Sequence, residues 1–324
     1  MSRGCVVAPS VSVIIPTYNR RAMVREAIAS VLAQHAVEFE LIVVDDGSTD
    51  GSFAELQQLA DVRPQIGYRA IRIAHGGPAA ARNRGVALAA GEFIAFLDSD
   101  DLWMPAKLER QLAFMRAHPD LRIAQCNERW LRGGRPVNPG RRHRKHAAEL
   151  FEDSLRTCLV SPSATIMRRD FFGALGGFDE TLAACEDYDL WLRVLVDHEI
   201  GLLDEPLVIR RGGHPGQLSA TMPALDRFRI IAIMKILGEA RLDARQRAAA
   251  CEVLIEKCGI YGAGLERRGR LEAARLCRAI AGAAAGAWRA GADPALPEFI
   301  SLMRTLVGEA EAAGRDVEIP DERG

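Results

Sequence analysis

Asp98, Ser99, Asp100 and Asp101 follow one another directly after the apolar run Phe93 to Leu97. The end of a buried parallel strand is where open α/β sheets gather their ligands. An Asp-x-Asp pattern there offers hard oxygens to a divalent cation, and a cation so held would neutralise a diphosphate. An isolated DSDD string would otherwise read as a capping turn. A second charged stretch is basic: Arg129, Arg132, Arg135, Arg141, Arg142, Arg144 and Lys145 lie within residues 129 to 146 with no acid among them, interrupted by Gly, Pro and Asn. It reads as a mobile basic loop with three uses open to it. They are contact with an acceptor or phosphate, plain solvation, or a membrane surface, where each Lys or Arg beside an anionic leaflet is worth about 1 kcal/mol.

The elements that would position these groups repeat. Val11 to Ile15 is a β-rich run ended by Pro16, and Val24, Ile28, Val31 and Leu32 follow at helical spacing. Leu41 to Val44 predicts a second strand, after which DDGSTDGS supplies caps for a helix with Phe53, Leu56 and Leu59 on one face. Ile66 to Ile73 predicts a third strand, Ala79 to Ala90 a helix closed by Gly91 as its C-terminal cap, and Phe93 to Leu97 a fourth strand. This alternation predicts a mostly parallel sheet covered on both faces, with ligands near Pro16, Asp45, His75 and Asp98.

Met104 and Pro105 then open a helix through Leu108, Leu112 and Met115 to His118. A Pro-bounded piece spans Ser161 to Met167, and a Gly176-Gly177 turn precedes a helix with Leu190, Trp191, Val194 and Leu195, where Trp191 reads as core. Leu207 to Ile209 predicts a last strand. Beyond Pro223 the periodicity is helical, on Leu225, Phe228 and Ala232, on Cys251, Leu254 and Cys258, and from Leu271 to Trp288. A shift toward Ala, Arg and Leu divides the chain into residues 1–221 and a helical extension over 222–324, with a frayed tail after Gly314.

The chain has 324 residues, 48% of them hydrophobic, enough for one large domain plus an extension. With 42 Lys plus Arg against 43 Asp plus Glu, its net charge of -1 gives no case for nucleic-acid binding. The seven cysteines are scattered without a Cys-x-x-Cys pair and read as reduced thiols of a cytoplasmic protein. MSRGCVVAPS lacks a signal peptide's apolar centre, and no run reaches the roughly 20 apolar residues that span a bilayer, so attachment at the inner membrane face would be peripheral.

In their order and spacing, VSVIIPTYNR, LIVVDDGSTDGS, GGPAAARNRGVALAAGEFIAFLDSDD, GGFDE and CEDYDLWLR resemble family-two glycosyltransferases over roughly residues 11 to 219. The resemblance implies an α/β GT-A fold, Rossmann-like, with a mostly parallel sheet flanked by helices. It also implies inverting transfer of a sugar from a nucleotide-diphosphate donor, most commonly UDP-linked in the family, to a hydroxyl acceptor. The basic segment suits a lipid-linked or polymeric glycan acceptor.

Carried over by residue, the resemblance implies that Pro16, Thr17 and Tyr18 line the base and ribose pocket. Asp46 accepts a hydrogen bond from the base, with Asp45 beside it. Arg82 lies near the donor nucleotide, Asp98 contacts the ribose with Ser99 next to it, and Asp100 ligates Mg2+ or Mn2+, supported by Asp101. Glu186 and Asp187 are the acidic pair, Asp187 being the base that removes the acceptor's hydroxyl proton. At a helix N-terminus that carboxylate is expected to stay ionised. His214 is a candidate second ligand, with Gln217 and Ser219 in the same loop.

Each residue has a structural alternative: helix capping for Asp45, Asp46 and the acidic pair, a solvent-facing arginine for Arg82, a plain loop histidine for His214. A nicotinamide dehydrogenase does not fit, because no G-x-G-x-x-G follows the first strand. A sugar nucleotidyltransferase would carry a Gly-rich loop where PTYNR stands. The competing non-enzyme reading is a catalytically lapsed transferase domain acting as a binding scaffold. GRLEAARLCRAIAGAA resembles one helix of a tetratricopeptide repeat, but a single copy does not build a stack, and simple packing is the reading preferred for the extension.

Overall fold

The computed structural model describes residues 9–62, 67–146, 150–214, 216–217, 222, 224–239 and 241–291. Ile66, Ser219 and the tail after Gly314 lie outside them. The chain divides into two compact units, Met1–Thr221 and Met222–Gly324.

The first unit is built on β1 (Val11–Thr17), whose seven residues VSVIIPT are all buried. A central parallel strand, covered on both faces, requires such an apolar run. β1 pairs in parallel with β2 (Phe39–Asp45) on one side and β4 (Phe93–Phe96) on the other, and β2 pairs in parallel with β3 (Tyr68–Arg72). The connecting helices are α1 (Arg21–Leu32), α2 (Ser52–Val62) and α3 (Gly77–Ala87). On one face, Val13, Ile15, Leu41, Val43 and Phe93 pack with Val24 and Ile28 of α1 and Leu56 of α2.

Past β4 the sheet becomes mixed. β4 pairs antiparallel with β8 (Thr165–Arg168), and β8 antiparallel with β6 (Ile123–Arg132). β6 pairs in parallel with β9 (Gly201–Gly212), and β9 antiparallel with the edge strand β5 (Leu102–Trp103). The order is β3-β2-β1-β4-β8-β6-β9-β5, with β7 (Arg135–Val137) on β6. Helices α4 (Lys107–Ala117), α5 (Leu150–Arg156), α6 (Arg169–Ala174) and α7 (Glu186–Asp197) complete the unit. Trp191 of α7 is buried, as expected.

Four sequence expectations are corrected. β1 continues through Pro16 to Thr17, opposite Val44 and Asp45, because proline's fixed φ is tolerated at a strand's end. Gly91 does not cap α3, which ends at Ala87 with the Leu88 N–H donating to the Gly85 carbonyl. Glycine is needed at 91 for close approach instead: a Cβ there would lie 2.6 Å from the Ser12 nitrogen. The last strand begins at Gly201 rather than Leu207, its early part hidden from pattern reading by a register shift around Asn127 opposite Pro206.

The fourth correction concerns residues 129–146. They form the end of β6, a hairpin through Gly133 and Gly134, both at positive φ, then β7 and a 3-10 turn at Arg141–His143. The anchor is Lys145, whose Nζ donates to the Glu128 carboxylate at 2.9 Å and to the Cys126 carbonyl at 3.1 Å. Glu128 stands one residue before the acid-free window, so the sequence pattern concealed the counter-charge.

The second unit contains α8 (Asp226–Leu237), α9 (Ala244–Arg267) and α10 (Leu271–Ala290). α9 opens on a capping box between Asp243 and Gln246. At Gly262 a Cβ would lie 3.3 Å from that of Cys277, so glycine permits close packing of α9 on α10. Cys126, Cys251, Cys258 and Cys277 are buried, and no described helix is long and apolar enough to cross a membrane.

Candidate active site

β1, β2 and β3 end level. Thr17 stands opposite Asp45, and Asp45 opposite Arg72. Buried Asp45 accepts a hydrogen bond from the Ser48 N–H at 3.2 Å and pairs with Arg72 Nε at 3.3 Å; its Oδ1 has no partner, nor does the buried Thr17 hydroxyl beside it. Asp46 accepts from the Gly76 and Gly77 N–H groups at 2.8 and 2.9 Å, which brings the start of α3 onto the end of β2. The carboxylate expected to meet a base thus serves as a helix anchor as well. Tyr18 is exposed and stacks on His75 with ring centroids 4.1 Å apart.

At the end of β4 the four residues of the acidic step separate in role. Asp98 accepts from Arg82 Nη2 at 2.6 Å. The Ser99 hydroxyl accepts from Arg20 Nη1 at 3.4 Å. Asp100 Oδ2 lies 3.0 Å from Arg20 Nη1 and 2.9 Å from His214 Nε2. Asp101 is buried and accepts from the Ser163 hydroxyl at 2.7 Å and the Arg211 N–H at 2.9 Å. Burial, then repulsion from Asp100 and Asp98, pushes its carboxyl well above the ordinary range. Asp101 therefore ties the step to the 3-10 turn at Pro162–Ala164, just before β8, and to β9, a supporting position.

Arg82 is buried because α3 presents Ala79, Ala81 and Gly85 around it, small residues that let the helix approach β1 closely. A Cβ at Gly85 would lie 2.4 Å from the Ile14 side chain. The guanidinium then reaches two carboxylates, Asp98 through Nη2 and Glu186 through Nη1, each at 2.6 Å. Burial opposes its charge, but Asp98 and Glu186 outweigh that and hold it above its usual value. This excludes the solvent-facing alternative for Arg82.

Glu186 and Asp187 begin α7 after Cys185, whose φ of 60° turns the chain sharply into the helix. Burial pushes Glu186 up to about 7, opposed by Arg82 and reinforced by Asp187. Asp187 is half-buried; its Oδ1 accepts from the Tyr188 N–H at 2.7 Å and its Oδ2 lies 3.8 Å from Cys158 Sγ. Burial also raises the Asp187 pKa, with Arg82 opposing. The helix N-terminus favours the anion, yet the net direction is upward, which qualifies the expectation of a low, always ionised carboxylate. Asp189 points away and pairs with Arg193 at 2.9 Å.

Pro16, Thr17, Asp45, Arg82, Asp98, Ser99, Asp100, Glu186 and Asp187 therefore belong to one strand-end edge or to contacts made from it, and His214 reaches the same edge. Gln217 accepts from the Gly213 N–H at 2.8 Å, within its own loop. No cluster of three His, Cys, Asp or Glu side chains is preformed among the described residues. The donor set at Asp100 and His214, a carboxylate against an imidazole, nevertheless suits a hard cation that keeps oxygen ligands from water and phosphate. Sequence reasoning missed Arg20 and Ser163. Arg20 closes VSVIIPTYNR at a strand end, a signal that was there to use; Ser163 arrives through the β8–β4 pairing, which has no local signature.

A family model described as glycosyl transferase family 2 matches residues 12–176. Among curated relatives, an uncharacterized glycosyltransferase of Rickettsia felis is 35% identical over 210 residues, 64% of this chain and 34% of its own length. The Escherichia coli protein named UDP-Glc:alpha-D-GlcNAc-diphosphoundecaprenol beta-1,3-glucosyltransferase WfgD is 30% identical over 60% of this chain and 73% of its own. The chain spans about a third of the length of the first three relatives, all rickettsial. Among solved structures, S. aureus TarS 1-349 in complex with UDP-GlcNAc superposes with a TM-score of 0.65 at 23% identity, covering 94% of this chain and 92% of that one. The mannosyltransferase PcManGT of Pyrobaculum calidifontis, in complex with GDP-Man and Mn2+, gives 0.55 at 20% identity, covering 97% and 89%. At these identities the likeness shows the fold, GT-A.

Proposed function

The chain belongs to glycosyl transferase family 2, and from that premise we propose that it transfers a sugar from a nucleotide-diphosphate donor, UDP-linked, to a hydroxyl acceptor with inversion, in glycan or glycolipid synthesis. The observation that carries the reading is the bridge made by Arg82, which joins the acidic step to the acidic pair with two bonds of 2.6 Å. Carboxylates for the leaving side and the acceptor side of one reaction are thereby fixed relative to each other.

In this reading Thr17, Tyr18, Asp45 and Asp46 receive the nucleoside: Tyr18 offers an aromatic face, and Asp45 and Thr17 hold the polar atoms without partners. Asp98 meets the ribose, and Asp100 with His214 would hold Mg2+ or Mn2+. The cation, when bound, supplies Lewis-acid neutralisation of the leaving diphosphate. Arg20 places a further positive charge beside Asp100, 3.0 Å away. Asp187 removes the acceptor's hydroxyl proton, while Glu186 and Arg82 position the start of α7. The relatives' and neighbours' names support a nucleotide-sugar donor; WfgD, whose name gives a lipid diphosphate acceptor, and the basic hairpin support a lipid-linked or polymeric one.

The test is thermal stabilisation by UDP-, dTDP- and GDP-sugars with and without Mn2+, followed by donor hydrolysis. A bound donor raises Tm by mass action. UDP-sugars should raise it most, and more with metal. No stabilisation by any nucleotide-sugar would overturn the reading.

A further inference from the structure

A cavity of about 370 Å³ opens between the end of β6 and the turn after β7. Its wall includes Glu128, Trp130, Arg141, His143, Arg144 and Lys145. The one carboxylate among these six is already satisfied. Glu128 accepts from Lys145 at 2.9 Å and from Trp130 Nε1 at 2.9 Å, bonds the Ser161 hydroxyl, and lies 3.8 Å from Arg210. Burial alone would raise Glu128; Lys145 and Arg210 outweigh it and hold it at about 2, so it is charged and balanced. Arg141 and Arg144, by contrast, are exposed and have no acidic partner among the described residues. The cavity therefore carries two uncompensated guanidinium groups beside an indole ring that has Arg210 over one face, 4.8 Å from its centroid, and the His143 ring tilted against it at 5.2 Å.

Guanidinium forks match the paired oxygens of phosphate groups, and an indole offers apolar contact area to a sugar ring. The cavity wall is linked to Asp187 through one short segment. Ser161 bonds Glu128 in the wall, and Cys158 lies 3.8 Å from Asp187. The Cα atoms of Cys158 and Ser161, three positions apart in sequence, are separated by at most about 11 Å.

We propose that this cavity is an acceptor subsite for a phosphate-bearing saccharide: Arg141 and Arg144 hold the phosphate, Trp130 borders the attached sugar, and the acceptor hydroxyl extends toward Asp187. The inference rests on the transferase reading and names the acceptor's class. The same phosphate chemistry comes from a lipid-linked saccharide diphosphate or from a phosphodiester-linked glycan.

The test is calorimetry on the full chain, with UDP and Mn2+ saturating the donor site. Three probes are titrated: a short-alkyl saccharide diphosphate, a trimer of sugars joined by phosphodiesters, and the same alkyl saccharide without phosphate. At least one charged probe should bind at least tenfold more tightly than the neutral one. The exposed pair Arg141→Ala/Arg144→Ala should lose at least tenfold of that affinity, and Arg141→Lys/Arg144→Lys should keep part of it. Preference for the diphosphate identifies the lipid-linked source, and preference for the trimer the polymer. Equal binding of charged and neutral probes, or wild-type affinity in the double Ala variant, overturns the inference. UDP binding is read first in the same cell: its absence in the wild type strikes the transferase reading, whereas normal UDP binding with phosphate-blind acceptor probes strikes this subsite alone.

Discussion

Arg82 and Glu186, 104 residues apart in sequence, meet through a 2.6 Å hydrogen bond between two buried side chains. The same guanidinium holds Asp98, so its removal leaves carboxylates of both sides without their counter-charge. Breaking one partner out of a buried pair costs about 3–5 kcal/mol. Arg82→Ala should lower Tm markedly in a thermal melt. Arg82→Lys, which cannot fork to two carboxylates, should fold but lose at least tenfold in kcat/KM.

Glu186 also predicts a pH dependence of stability. Its folded pKa of about 7 lies above the ordinary 4.5, so between those values the native state binds the proton more tightly than the unfolded chain. The contribution is fully present below about 4.5 and is lost as pH rises through 7. Wild-type Tm should therefore decline from pH 5 to 7.5 more steeply than that of Glu186→Gln. Parallel curves would show that Glu186 does not titrate in this window.

The Asp187 charge raises Glu186, so the two carboxyls of the pair interact. If Asp187 is the base, the kcat/KM profile rises with pH as the pair loses its proton, and Glu186→Gln, which removes one adjacent negative charge, should move that limb to lower pH. Asp187→Asn should reduce transfer at least a hundredfold while UDP affinity, followed by calorimetry, stays within twofold.

At the acidic step, Asp100→Ala should reduce transfer at least a hundredfold. Chelation of wild-type protein should stop turnover, and added Mn2+ should restore it. Because His214 contacts Asp100, His214→Ala should raise the Mn2+ concentration needed for half-maximal rate, whereas Arg20→Ala, which removes a positive charge 3.0 Å from Asp100, should not raise it. An unchanged metal requirement in His214→Ala would remove it from the ligand set.

Gly91→Ala tests packing apart from catalysis. The added Cβ would press on the Ser12 backbone at 2.6 Å, inside a strand that cannot move freely. Overpacking of this kind costs about 1–3 kcal/mol. Denaturant melts should show a lower midpoint with an unchanged slope.

Much of this architecture is legible in the sequence because it is periodic. The buried runs of β1, β2 and β4 and the helices between them announce the parallel half of the sheet, and with it the strand-end positions of Asp45 and Asp98. What is hidden depends on distant pairing. Lys145 finds Glu128 only because the hairpin folds back, and Ser163 bonds Asp101 only because β8 lies against β4. Gly91 shows the other failure: a glycine after a helix looks like a cap, and nothing local reveals that Ser12 needs the space.

Arg20 Nη2 donates to the Gly216 carbonyl at 2.8 Å, across 196 residues. At ribosomal rates of about 5–20 residues per second, roughly 10 to 40 s pass between the emergence of the two partners. During that interval the first strands and then the acidic step emerge with this contact still unmade. The last strand and the loop after it also bring the Arg211 N–H to Asp101 and His214 to Asp100, so a premature stop before Gly201 releases a polypeptide that has all five motifs and lacks these contacts.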